Sequence, residues 1–223
     1  MSNRAYVGFW LRDFSEDMLL DRFERLLESV PLSSARPGFT AMLTRAVSPS
    51  EAPVAEHSFQ AGASGPADVI ASAREHFHDD VEYEVAAYWD LWSRDLEAGK
   101  WTRGPEPVVL ICRGSSYDDG LAAQTGQFAA DLGFEHLFTG HAGLLGSRGA
   151  RSAPTDPVEA EFLSFMTNDA HLHEYYEKTR ANIQQLLNWI RAVEQALPIE
   201  RYMLWSEGEE NLEARLDEIL AVH

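Results

Sequence analysis

The chain is poor in cysteine and in positive charge. Its single cysteine, Cys112, excludes an intramolecular disulfide. No apolar run nears the roughly 18 residues that would suggest a membrane-spanning helix. The start, MSNRAYVGFW, lacks the apolar stretch and small-residue cleavage site of a secretory signal. These features point to a cytoplasmic protein without a membrane role. Only 18 lysines and arginines stand against 36 aspartates and glutamates, a formal net charge of −18. Nucleic acid is a poor partner for such a chain, because its phosphates must be neutralised by Lys and Arg. No basic stripe, zinc-ligand spacing or aromatic RNP pattern is present. The phosphate loop G-x-x-x-x-G-K-[ST], the dinucleotide fingerprint G-x-G-x-x-G and the nucleophile elbow G-x-S-x-G are also missing.

What is there suits a folded domain. Of the 223 residues, 45% are hydrophobic and 24% charged, which is enough apolar material for a sizeable core and too much for disorder. The acids are unevenly spread. Residues 66–97 carry nine acids and two bases, and residues 205–223 carry six acids and one base. An anionic surface of this kind keeps a protein soluble and attracts cationic partners.

Periodicity predicts the elements in turn. AYVGFWL (5–11) reads as a strand, and Leu19, Phe23, Leu26 and Val30 mark an amphipathic helix over 15–30. GFTAMLTRAV (38–47) and VAEHSF (54–59) read as strands around the loop SPSEAP. Across 66–97, Val69, Ala73, Phe77, Val81, Val85, Tyr88, Trp92 and Leu96 recur every three or four positions and predict one long helix. PVVLIC (107–112) has the continuous apolar character of a central strand, GSSYDDG (114–120) that of a turn, and GQFAADLGF (126–134) alternates like a strand. Residues 139–157, rich in Gly, Ser and Pro, read as a loop or linker. Helices follow at 157–168, 170–197 and 209–220, with a short strand at 200–205. The expectation is an α+β protein with a mainly antiparallel sheet in residues 1–138. A helical C-terminal part, 158–223, packs on that core as one domain. The first six elements follow the β-α-β-β-α-β order of a ferredoxin-like unit, one of several α+β arrangements compatible with it.

Two H-x-H pairs, His76/His78 and His171/His173, raise the question of a metal. On a helix, side chains two positions apart diverge by about 200° and cannot grip one ion. The pairs His76/Asp80 and His173/Glu177 have i,i+4 spacing and would form a joint site only on neighbouring helices. His57 reads as a half-buried histidine satisfied by hydrogen bonding, and Cys112 as a small core residue. Accordingly no metal and no cofactor are expected.

Two functional readings remain. The first is a non-catalytic, acidic protein-binding protein acting on a basic partner. Asp79, Asp80, Glu82 and Glu84 would steer the encounter, and Trp89, exposed off the apolar seam of the 66–97 helix, would supply contact area. Composition and architecture are analogous to those of bacterial toxin-immunity proteins, whose acidic surfaces block cationic toxins. The analogy implies an inhibitor. The alternative is a small-molecule hydrolase with a carboxylate/histidine site at Asp118, Asp119 and His136. A homo-oligomer using the aromatic segment YWDLW is a third arrangement.

Overall fold

The computed structural model describes residues 3–60, 62–95, 100–139, 164 and 167–221. In chain order the elements are β1 (Arg4–Leu11), α1 (Leu19–Ser29), β2 (Phe39–Ala46), β3 (Ala55–Ser58) and α2 (Pro66–Arg74). Next come β4 (Val81–Asp95), β5 (Lys100–Arg113), α3 (Ala122–Thr125), β6 (Phe128–Phe134) and α4 (His136–Thr139). The described chain closes with α5 (Asp169–Ala196), β7 (Ile199–Ser206) and α6 (Leu212–Ala221). The protein is α+β, with one seven-stranded sheet in the order β3-β2-β4-β5-β6-β1-β7. Every neighbouring pair is antiparallel.

Register explains the layers. Residues directly opposite each other on paired strands point to the same face. Met42, Val85, Leu110, Ala130, Val7 and Leu204 are aligned in this way across six strands, and all are buried. On this face pack α1, with Phe23 stacked on Phe128, and α5, with Trp189 edge-on to Phe9. The end of α2 is tied down by the Tyr83 hydroxyl, which donates to the Ala73 carbonyl (2.9 Å). The opposite face carries the row Leu43, Glu84, Ile111, Ala129 and Gly8. The one-turn α3 lies over Gly8, where a Cβ would collide with the Thr125 carbonyl, so only glycine allows this close approach.

The long helix expected over 66–97 is not formed. It stops at Arg74, and β4 takes up the residues from Val81. The apolar spacing was ambiguous, because a step of four residues satisfies both periods. The alternation Val81, Tyr83, Val85, Ala87, Trp89 and Leu91, all buried, is the pattern that won. Pairing with β5 from Glu82 to Asp95 then satisfies the backbone of this β-branched and aromatic stretch.

The β-α-β-β-α-β element order is kept up to β4, but the compact sheet that it suggests is not. β1 lies three strands away from β2, separated by β4, β5 and β6. The long β4–β5 hairpin displaces it, since β5 takes the place beside β4 and β6 the place beside β5. The C-terminal part is not purely helical either. α5 and α6 contribute to the same core as the N-terminal elements, and β7 completes the sheet at its edge beside β1. Apart from Thr139, the expected linker at 139–157 lies outside the described residues, as does all but Ser164, Thr167 and Asn168 of the helix expected at 157–168.

The outer side of β4 runs beyond its neighbour. β2 covers it only as far as Ala87. Past that point Ser33 N–H donates to the Tyr88 carbonyl (2.7 Å), and Asn182 from α5 closes the edge. The Asn182 side chain accepts from Trp92 N–H (2.8 Å) and donates to the carbonyls of Trp92 (2.8 Å) and Leu137 (2.9 Å). A buried amide thus takes the place of a neighbouring strand.

Candidate functional site: the acidic loop end of the sheet

Antiparallel pairing brings the ends of β1, β2 and β5 to the same end of the sheet as the starts of β3, β4 and β6. The connections there run through residues 12–18, 47–54, 75–80 and 114–120. They hold one another through the backbone. Val47 N–H donates to the Asp80 carbonyl (2.9 Å), Asp118 N–H to Val47 (2.8 Å), Ser116 N–H to Asp79 (2.8 Å) and Gly114 N–H to Val81 (2.9 Å). Side chains add two ties: Ser115 N–H to the Glu16 carboxylate (2.7 Å), and Ser116 Oγ to that of Asp79 (2.9 Å). Gly114 has no alternative here, because a Cβ would meet the Asp79 backbone.

The backbone is strained at the same end. Among the described residues, the non-glycine residues with positive φ are Asp13 (52°), Val47 (70°), Asp118 (46°) and Asp119 (53°), and all four sit in these loops. Aspartate tolerates the left-handed region, but a β-branched valine does not, so Val47 is the outlier. Such a residue costs on the order of 1–3 kcal/mol and is kept where its surroundings over-determine it. Val47 is also 59% exposed. Met18, Val54 and Phe77, three further exposed large apolar side chains, belong to these loops as well. Around them stand Asp13, Glu16, Asp17, Glu51, Asp79, Asp80, Asp118 and Asp119.

Beneath the loops, on the α3 side of the sheet, lies a buried ion pair. Arg113 Nε donates to Glu82 Oε2 (2.5 Å), and Arg113 Nη1 to Thr125 Oγ1 (3.1 Å). Glu82 is only 4% exposed. Burial pushes its carboxyl above the ordinary range, and the Arg113 charge partly opposes the shift. Burial also drives the Tyr117 hydroxyl up, with the Glu82 charge adding to it. Next in the row, Arg45 Nε donates to Glu84 Oε1 (3.0 Å), and Arg45 Nη1 to the Glu51 carbonyl (3.0 Å). Both glutamates are therefore committed internally and brace the loops rather than steer a partner.

This geometry divides the expected binding residues. Asp79 and Asp80 belong to the loop end, whereas Glu82 and Glu84 face the α3 side of β4. Trp89 points the opposite way, because odd and even residues of a strand alternate. It is 0% exposed and packs on Phe138 and Trp189, so it is a core residue, not a contact residue. The alternative hydrolase residues are also separated. Asp118 and Asp119 lie where β6 begins, while His136 follows its far end and stacks on Phe134. Seven strand residues put about 20 Å between the two places.

The joint histidine–carboxylate site does not assemble. His76 and Asp80 precede β4, and His173 and Glu177 are on the part of α5 beyond Asn182, which contacts Trp92 near the other end of that strand. His78 Nδ1 instead lies 2.7 Å from Asp80 and 2.8 Å from Asp79. His57, expected to be hydrogen-bonded, has a buried Nε2 without a hydrogen-bond partner among the described residues. Val47 and Asp13 were not legible as site residues, since nothing in a sequence marks a non-glycine residue for positive φ.

Among the described residues no helix is long and apolar enough to cross a membrane. Compared with protein-family models, curated protein sequences and solved structures, the chain matches none.

Proposed function

We propose that the protein is a non-catalytic binding protein that captures a basic protein partner at the loop end of its sheet, as an inhibitor of the toxin-immunity kind would. The observation that carries this reading is the grouping of exposed apolar side chains with acids. Among the described residues, four of the six exposed large hydrophobic side chains, Met18, Val47, Val54 and Phe77, fall in these loops. Apolar anchors within a charged rim are the anatomy of a protein interface: the anchors supply desolvated area, and the rim supplies encounter rate and selectivity. Acids in excess call for a basic partner. The cross-loop hydrogen bonds support the reading too, since a pre-ordered surface loses less entropy on binding.

The test is affinity capture from the source cell with the intact protein, at about 0.05 M and about 0.5 M salt, because screening shortens the reach of the acids. The expected result is a basic protein retained at low salt and lost with the Asp118→Lys/Asp119→Lys pair and with Val47→Asp. Aspartate is compatible with the backbone at position 47, so the last variant removes the anchor without unfolding the loop. Capture that ignores salt and all three substitutions refutes the assignment of this surface.

A further inference from the structure

We propose that His57, Glu75 and His76 form a binding site for a Zn²⁺ ion, a site independent of the partner surface. His57 lies directly opposite Met42 and so extends the buried row of the sheet onto its edge strand, β3. It therefore points to the helix side, where the end of α2 delivers Glu75 and His76. The two imidazole rings are 6.3 Å apart and tilted by 53°. One nitrogen from each histidine and one Glu75 carboxylate oxygen all lie within 4.8 Å of one another.

The independent sign of a ligand is His57 Nε2. It is buried, and no donor or acceptor among the described residues meets it. A buried polar atom left unpaired is unfavourable and calls for an ion or a water. Zinc matches this donor set, since two imidazoles and one carboxylate bind it tetrahedrally and leave a fourth position open. With bonds of about 2.0–2.1 Å, tetrahedral donors stand about 3.3 Å apart, so the three groups need close by no more than about 1.5 Å. Glu75 is exposed and His76 only half-buried, so side-chain rotation supplies that movement. The setting favours a cation. The end of α2 presents the negative pole of its dipole, Asp79 and Asp80 follow shortly after, and the nearby Arg74 is engaged by Asp21 (2.6 Å).

The divergence that argues against each H-x-H pair as a chelate does not apply here, because His57 and His76 come from different elements. Among the described residues the other compact group, His78 with Asp79 and Asp80, is weaker. His78 Nδ1 is already taken by both carboxylates at 2.7 and 2.8 Å.

The test uses untagged full-length protein, stripped of metal and titrated with zinc chloride by calorimetry. One zinc per chain is expected, with affinity reduced about tenfold or more by His57→Ala and by Glu75→Gln, and unchanged by His78→Ala. Glu75→Gln is isosteric and exposed, so it reports on ligation even if His57→Ala perturbs β3. Cobalt substitution should give a visible spectrum of low-symmetry coordination that His57→Ala abolishes. Absence of zinc binding by the wild type overturns the proposal. So does binding by the Glu75→Gln and His57→Ala variants as tight as that of the wild type, or loss confined to His78→Ala.

Discussion

At the scale of single residues, the ion pair beneath the loops has the largest measurable consequence. Arg113, 2.5 Å away, offsets part of the cost of burying the Glu82 carboxylate. Removing one partner of a buried pair strands the other, which costs on the order of 3–5 kcal/mol. Arg113→Met should lose about that much at near-neutral pH and push the Glu82 carboxyl further up. The sign of its pH dependence follows from linkage. A carboxyl whose folded-state pKa lies above its ordinary value of 4.5 binds more protons in the folded than in the unfolded chain. Its cost to stability therefore grows as pH rises through the raised pKa, and fades as the group is neutralised below it. Urea unfolding of Arg113→Met and wild type should show a deficit that shrinks as pH falls from neutrality toward the ordinary carboxyl range. A deficit independent of pH would mean that lost packing of the arginine stem dominates.

At the scale of elements, the junction of α5 with β4 decides how the C-terminal part is held. Asn182 makes three hydrogen bonds there, two of them to the unpaired edge at Trp92. Asn182→Ala removes all three and leaves the Trp92 amide and two carbonyls without these partners. The expected loss is about 1–3 kcal/mol. Hydrogen exchange provides the sharper readout: the Trp92 amide should exchange faster in the variant, while amides of β5 and β6 at the sheet centre change only with global stability. Unchanged protection at Trp92 would show that another group closes this edge.

At the scale of the whole molecule, a net charge of −18 repels itself in the compact state. Raising ionic strength from about 0.02 M to about 0.2 M shortens the Debye length and should relieve part of that repulsion. Relief of about 1 kcal/mol corresponds to a rise in Tm of about 2–4 °C for a chain of this size. Thermal melts followed by circular dichroism would check it. A falling Tm would mean that ion pairs such as Arg45–Glu84 and Arg4–Asp131 outweigh the repulsion.

Sequence alone determined the elements whose signals are local. The helix expected at 170–197 is α5 to within a residue, and the strands expected at 5–11, 107–112 and 200–205 are present. The α+β class and the acidic surface were legible for the same reason, since composition and short-range periodicity carry them. Tertiary structure alone decided the rest. Val81 and Val85, four residues apart, are spaced for a helix as well as for a strand, and only pairing with β5 chose between them. That choice turned Trp89 into the core and tied Glu82 to Arg113, so the contact residues expected on one helix were dispersed. The loops that meet around Val47, and the approach of His57 to His76, depend on which strands become neighbours. Strand order is set by long-range pairing and loop closure, which no local pattern along the chain encodes.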